Sequence, residues 1–292
     1  MSLSELDLVR RIRRTAGKPA GLVLGIGDDC AVFRPRSGED LVFTTDLFIE
    51  DVHFRRRMPA EWVGARTLAR GLSDIAAMGA APRFCLLSLA VPDWADQRWL
   101  DSYFEGILGW GVPLAGGDLA RSKSLIADIV VCGSVPKGTA LRRDGARPGD
   151  SLFVSGRLGA AAASGYQAAS TPRLELGKYL RGRATACMDV SDGLSLDLHR
   201  LAEASGLAAE ITGPPVAEGA TRVQALHGGE DYELLFTAPP HLKMRTQFRG
   251  LPLTRIGTMR KGKPGAVSLD GRPLPPLGYD HFSRSRARRR SH

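Results

Sequence analysis

The strongest constraint on this chain is a pattern that recurs along it: an apolar run that breaks off abruptly in glycine, threonine and aspartate. LVLGIGDD (22–29) stops at Asp28 and Asp29, LVFTTD (41–46) at Thr44, Thr45 and Asp46, VPLAGGD (112–118) at Asp118, and TACMDVSD (185–192) at Asp189 and Asp192. Short runs of this composition read as strands that empty into polar loops. Between them, residues 60–77 place Trp62, Ala65, Leu68, Leu72, Ile75 and Ala76 on one helical stripe, with Asp74 on or beside it. Residues 94–108 predict a second helix, and 82–92 and 125–135 two more strands. Leu3, Leu6, Val9 and Ile12 predict a helix over 2–14, with Ser2 and Glu5 as a capping box and arginines in its last turn. Strands interleaved with helices define a mixed α/β chain.

The 292 residues suffice for two domains. GSVPKGTALRRDGARPGD (133–150), rich in glycine, proline and charge, reads as the linker, which divides the chain into domains at 1–138 and 139–282. The second half predicts a strand and glycine turn at 151–159, a strand, acidic turn and helix over 185–206, a glycine-acid turn and strand over 224–240, and a strand at 251–257. The last ten residues, 283–292, lack apolar periodicity and read as a disordered basic tail.

Hydrophobic residues at 43% and charged residues at 24% exclude a disordered or fibrous chain. No run approaches the roughly 18 apolar residues of a membrane span, and the N-terminus has no long apolar core, so the expected location is cytoplasmic. Cys30, Cys85, Cys132 and Cys187 are far apart with no C-x-x-C, as expected of small buried hydrophobes. The formal net charge is +9, of which Arg284, Arg286, Arg288, Arg289 and Arg290 supply five. The modest excess left on the body suits anionic small molecules, with neither nucleic acid nor membrane required as a partner.

So many carboxylates gathered at strand ends would repel one another unless a cation sat among them. Carboxylates with hydroxyls such as Thr44, Thr45 and Ser191, and no His or Cys partner, favour Mg2+ over a transition metal. Mg2+ held in this way usually presents polyphosphate, and glycines such as Gly117 would let backbone N–H groups approach phosphate oxygens. A lone aspartate after a strand is by default a turn former or helix cap, and that alternative stays open for each of these sites. His53, between Val52 and Phe54, reads equally as a packed histidine. Tyr279 reads as an apolar latch, and Asp231 as a turn cap. There is no Walker A sequence, no kinase catalytic set and no dinucleotide fingerprint.

GIGDDCAV (25–32), TTDLFIEDVHF (44–54), LSDIAAMGAAP (72–82), AGGD (115–118), GSVPKGTALRRDGARPGD (133–150), MDVSDGL (188–194), LHGGEDYELLF (226–236) and GYDHF (278–282), in this order, resemble the thiamine-monophosphate kinase family. That family belongs to the aminoimidazole ribonucleotide synthetase-like superfamily. The resemblance implies its two-domain α/β (α+β) fold: an N-terminal ferredoxin-like mixed-sheet lobe that pairs with a second copy as a homodimer, and a C-terminal α/β lobe. It implies ATP-dependent phosphorylation of thiamine monophosphate to thiamine diphosphate, the last step of thiamine diphosphate biosynthesis, with ATP as co-substrate and several Mg2+ ions. By matching position, Asp29, Thr44, Thr45, Asp46, Asp74, Asp118, Asp189 and Asp192 would be metal ligands. Gly117, Asp118, Arg143 and Ser191 would contact ATP, and His53, Glu230 and Tyr279 would hold the thiamine phosphate. Asp46, Asp118, Arg143 and Asp192 would act at the transfer itself.

The segments 159–186 and 213–224 are shorter than the family pattern, and Leu119 stands where a threonine commonly follows GGD. Competing expectations are another ATP-using member of the superfamily and a non-catalytic nucleic-acid-binding protein that uses the arginine tail. The hydrogenase maturation member requires a C-terminal cysteine, where this sequence has Ser291 and His292. No aromatic residue or recognition helix accompanies the tail arginines.

Overall fold

A computed structural model describes residues 11–17, 21–24, 26, 32–168 and 171–279. The expected helix over 2–14 is helical at 11–14; its earlier residues, the tail, and Asp28, Asp29 and Cys30 lie outside the described residues. In chain order the elements are β1 (Leu22–Leu24), β2 (Val32–Phe33), β3 (Glu39–Ile49), α1 (Ala60–Ala77), β4 (Ala81–Val91), α2 (Gln97–Leu108), β5 (Leu114–Arg121) and β6 (Ile126–Pro136). Then come β7 (Ser151–Ser155), α3 (Ala160–Ala163), α4 (Leu174–Leu180), β8 (Ala186–Val190), α5 (Leu194–Ala204), β9 (Ala208–Ile211) and α6 (Arg222–His227). The chain closes with β10 (Glu233–Ala238), β11 (Gln247–Phe248), β12 (Leu251–Arg260), β13 (Val267–Leu269) and β14 (Arg272–Pro273). Mixed α/β class follows directly, and no described helix is long and apolar enough to cross a membrane.

The chain forms two compact units. The first takes the described residues through Leu141 together with those from 171 to Gly182; the second takes Arg142–Ala168 and the described residues from Arg183 onward. The linear expectation at 138–139 did not anticipate that the chain returns to the first unit to add α4. Glycine permits that docking: a Cβ at Gly177 would lie 2.0 Å from the Ala76 carbonyl oxygen of α1.

In the first unit the sheet runs β3-β6-β4-β5, antiparallel except for the parallel pair β4 and β5. The alternation of β3 sends Phe48 inward at 0% exposure and Phe43 and Leu47 outward at 62% and 52%. Helix α1 covers the inner face, and its stripe of Leu68, Leu72 and Ile75 is buried with Ile129 and Val131 of β6. Helix α2 packs on α1 so closely that a Cβ at Gly106 would fall 2.0 Å from the Glu61 carbonyl oxygen. The antiparallel pair β1 and β2 lies on the opposite face, where Phe33 and Phe84 rings meet at 5.0 Å. Cys85, Cys132 and Cys187 are buried free thiols, as expected of small apolar residues in packed strands.

In the second unit the strands run β14-β13-β9-β12-β7-β10-β8, with β11 paired to β12. All the pairings are antiparallel except β9 with β13. Strands β7, β8 and β10 are buried throughout, and α5 sets Leu194, Leu198 and Leu201 into the same core.

Candidate functional site

In the first unit, strand alternation sorts the candidate residues onto two faces of the sheet. Thr44 and Asp46 face α1, where the Thr44 hydroxyl donates to the Asp74 carboxylate. Arg70, one turn earlier on the same helix, brings Nη2 to 3.7 Å from Asp46 Oδ1 and its guanidinium to 5.7 Å from the Phe48 ring centroid. Asp46 Oδ2 is buried and accepts no hydrogen bond from any described group. Burial, opposed by Arg70 and reinforced by the Asp74 and Asp128 charges, raises the Asp46 carboxyl from its ordinary 3.8 to about 6.

Thr45 and Asp118 lie on the other face. The pairings Leu47–Asp128, Asp128–Ser88 and Ser88–Asp118 run as one row across all four strands, so Asp118 and Asp128 share the face that exposes Leu47. Thr45 donates to Asp128 at 2.5 Å. Gly117, expected to approach phosphate, also has a packing reason to be glycine: a Cβ there would fall 1.9 Å from the Leu87 carbonyl oxygen of the neighbouring strand. Thr44, Asp46 and Asp74 are thus assembled together, whereas Thr45 and Asp118 stand apart from them.

His53 follows β3 in a tight turn. Its Nδ1 accepts the Ile49 N–H at 3.0 Å, which places the proton of the neutral ring on Nε2, and the ring stacks on Phe48 at 5.6 Å. The histidine is packed and its tautomer is set by the backbone.

In the second unit the end of β8 and the turn after it gather five of the sequence-predicted residues. Asp189 is buried at the end of β8, followed by Ser191 and Asp192. The Glu230 N–H donates to the Ser191 carbonyl at 2.7 Å, and the Tyr279 N–H to the Asp192 carbonyl at 2.9 Å. Glu230 holds a left-handed backbone at φ +68°, a conformation that costs a non-glycine residue roughly 1–2 kcal/mol and persists only where its surroundings enforce it. Asp231 accepts the Gly159 and Ala161 N–H groups at 2.6 and 3.1 Å, so it caps α3 rather than its own turn. Arg143 is exposed, with its carbonyl held by Ser205 at 2.9 Å.

Two residues of α5 that hold this turn escaped the sequence reading. The fully buried Asp197 accepts the N–H groups of Ser191, Asp192 and Gly193 on Oδ2 at 3.1, 3.0 and 3.1 Å. Arg200 Nη1 reaches Asp197 Oδ1 at 2.9 Å and Asp192 Oδ2 at 2.6 Å. The available signal was an acid at 197 inside the apolar stripe Leu194, Leu198, Leu201. A charge on the buried face of a helix requires a local use.

Among the described residues no three His, Cys, Asp or Glu side chains form a ready-made metal cage. Mg2+ seldom needs one, because it binds through one or two carboxylates with water and substrate phosphate completing the octahedron. The all-oxygen donors and the buried, unpaired Asp46 Oδ2 fit such an ion.

Residues 27–135 match the model of the AIR synthase related protein N-terminal domain. The chain is similar to the thiamine-monophosphate kinase of Haemophilus influenzae, 34% identical over 98% of this chain and 100% of that protein, and to that of Bacillus subtilis, 32% identical over 96% and 100%. Among solved structures it resembles thiamine-monophosphate kinase from Stenotrophomonas maltophilia K279a, at 37% identity and TM-score 0.82 over 93% of this chain and 98% of that one. It also resembles AaThiL complexed with AMPPCP and TMP, at 29% identity and TM-score 0.76 over 97% and 99%. Hydrogenase maturation proteins share the fold at 20% identity and TM-score 0.77.

Proposed function

The chain belongs to the thiamine-monophosphate kinase family, and from that premise we propose that it transfers the γ-phosphoryl group of ATP to thiamine monophosphate, releasing thiamine diphosphate and ADP. The observation that carries this reading is the 34% identity that runs the whole length of a curated relative of that name. The AaThiL complex with AMPPCP and TMP supports the same pair of substrates.

The acceptor is a phosphate monoester with a second pKa of about 6, already ionised at neutral pH, so no general base is required. The obstacle is charge: two unit charges ~4 Å apart repel by on the order of 4 kcal/mol at an effective dielectric of 20. Mg2+, when bound, offsets that repulsion between the phosphates. Asp46 and Asp74 with Thr44 would hold it in the first unit, Asp189 and Asp192 in the second, and Asp29, Thr45 and Asp118 complete the proposed ligand set. Arg143 supplies an added cation for ATP, which Gly117, Asp118 and Ser191 also contact. Asp46, Asp118, Arg143 and Asp192 act at the transfer itself. Glu230 and Tyr279, whose backbones are hydrogen-bonded to Ser191 and Asp192, orient the thiamine phosphate together with His53. The transfer is direct and in-line, with no covalent enzyme intermediate.

The same reading makes the protein a cytoplasmic homodimer that pairs through the outer face of the first unit's sheet. The exposed Phe43 and Leu47 support that pairing, which would also set Thr45 and Asp118 against the partner copy. ADP release measured with thiamine monophosphate, with thiamine and with an aminoimidazole ribonucleotide precursor, each with and without Mg2+, tests the assignment. Turnover is expected with thiamine monophosphate and Mg2+ alone, with inversion at the transferred phosphorus. Preference for another acceptor, or retention, would overturn it.

A further inference from the structure

The turn at 191–193 is tied by a hydrogen-bond network whose members take no part in the proposed transfer. One oxygen of Asp197 collects three consecutive backbone N–H groups, and its other oxygen holds Arg200. The same Arg200 nitrogen donates its second hydrogen to Asp192 Oδ2. Asp197 has a fully buried side chain, so Arg200 is anchored to a fixed point, unlike an ordinary surface ion pair whose partners both wander. Asp192 is therefore constrained twice: its backbone by Asp197 and by the Tyr279 N–H bonded to its carbonyl, its carboxylate by Arg200 through one oxygen. Its second oxygen, Oδ1, receives no bond from this network.

We propose that Asp197 and Arg200 are positioning residues that hold the Asp192 carboxylate by Oδ2 and present Oδ1 as a single-oxygen ligand to the divalent ion. The inference rests on the reading of Asp192 as a metal ligand. Groups that hydrogen-bond a ligating carboxylate set its orientation, and losing one typically costs 10–100-fold in metal affinity or activity. A bare charge effect has the opposite sign: removing a cation beside Asp192 would strengthen binding. The direction of change therefore separates positioning from simple repulsion.

The test titrates Mn2+ into the full-length protein with saturating AMPPCP, following free Mn2+ by electron paramagnetic resonance, alongside the Mg2+ dependence of ADP release and the melting temperature. Arg200→Met is expected to weaken Mn2+ binding and to raise the half-activating Mg2+ concentration 10–100-fold, with the KM for thiamine monophosphate unchanged. Arg200→Lys, which retains a cation able to donate to both carboxylates, is expected to recover most of the loss. Asp197→Asn keeps a carbonyl oxygen for the three N–H groups but loses the charged anchor, and is expected to shift Mn2+ affinity in the same direction. Unchanged or tighter Mn2+ binding in folded Arg200→Met overturns the proposal, as does equal impairment of the Met and Lys variants with lowered melting temperatures. If Arg200→Met does not fold, the Lys and Asn variants decide by the same readouts. A wild-type protein that neither binds Mn2+ nor turns over overturns the ligand reading beneath the proposal, and the proposal with it.

Discussion

Replacing Asp46 by Asn should make the metal-free protein more stable at neutral pH while abolishing its activity. The reason lies in the raised carboxyl: its folded value of about 6 stands above the ordinary 3.8, with burial as the main cause. Below about pH 4 the group is protonated in both the folded and the unfolded chain and contributes nothing. As pH rises from about 4 to about 6 the unfolded chain releases its proton first, so the folded state loses stability across that window, and the loss is complete above it. At 1.36 kcal/mol per tenfold change in proton affinity the cost would be ~3 kcal/mol. The side chain is 22% exposed, so water screens this to ~1–2 kcal/mol. Asn removes that cost, which already includes the favourable 3.7 Å pairing with Arg70, so the net gain is ~1–2 kcal/mol. Urea unfolding in EDTA should show the gain at pH 7 and almost none at pH 3. Adding Mg2+ at a hundred times the dissociation constant of the first-unit ion should then stabilise the wild type by ~2.7 kcal/mol more than the Asn variant, which keeps only the second-unit ligands. A variant less stable than wild type at pH 7, or an equal gain at both pH values, would refute the reasoning.

Three further outcomes follow from packing and capping. Gly106→Ala places a methyl 2.0 Å from the Glu61 carbonyl oxygen, so α1 and α2 must separate; a loss of ~3 kcal/mol or more is expected in denaturant titrations. Asp231→Ala strips the cap from the Gly159 and Ala161 N–H groups and should cost ~1–2 kcal/mol, measured the same way, with faster amide exchange at those two positions. Phe43→Asp combined with Leu47→Asp should convert a dimer to a monomer in sedimentation equilibrium without unfolding it, because both side chains already face outward. A wild type that sediments as a monomer would remove the proposed pairing.

Periodicity carried the long elements. The stripe read over 60–77 is α1 residue for residue, and the runs at 82–92 and 125–135 are β4 and β6 displaced by a residue. Those segments each bury a whole face, and burial is what the apolar pattern records. Helices α4 and α6 escaped because seven and six residues are too short to display a period, and α4 follows Pro172 in a stretch that reads as loop. Strand β9 escaped because its four residues are fixed by pairing with β12 and β13, some 50 residues away in sequence. At the site, Asp74 lies on the patterned helix α1 as read, whereas Thr44, Thr45, Asp46 and Asp118, read as the polar ends of strands, lie inside β3 and β5, whose pairing continues past them. The sorting of Thr45 and Asp118 to the opposite face was implicit in the two-residue strand repeat, but only the register across β3, β6, β4 and β5 shows it. Arg200 could not be found by pattern, because a half-buried arginine on a helix is unremarkable until its partner is known.

The return of the chain to build α4 has a consequence for how the molecule can be cut and made. The backbone passes from one unit to the other three times, so no single break yields two self-sufficient fragments. A fragment ending at Leu141 would leave the Ala76 carbonyl region of α1 without the helix seated on it. During synthesis the first unit must wait for Gly182 to leave the ribosome before its last helix can dock, by which time β7 and α3 of the second unit have already emerged.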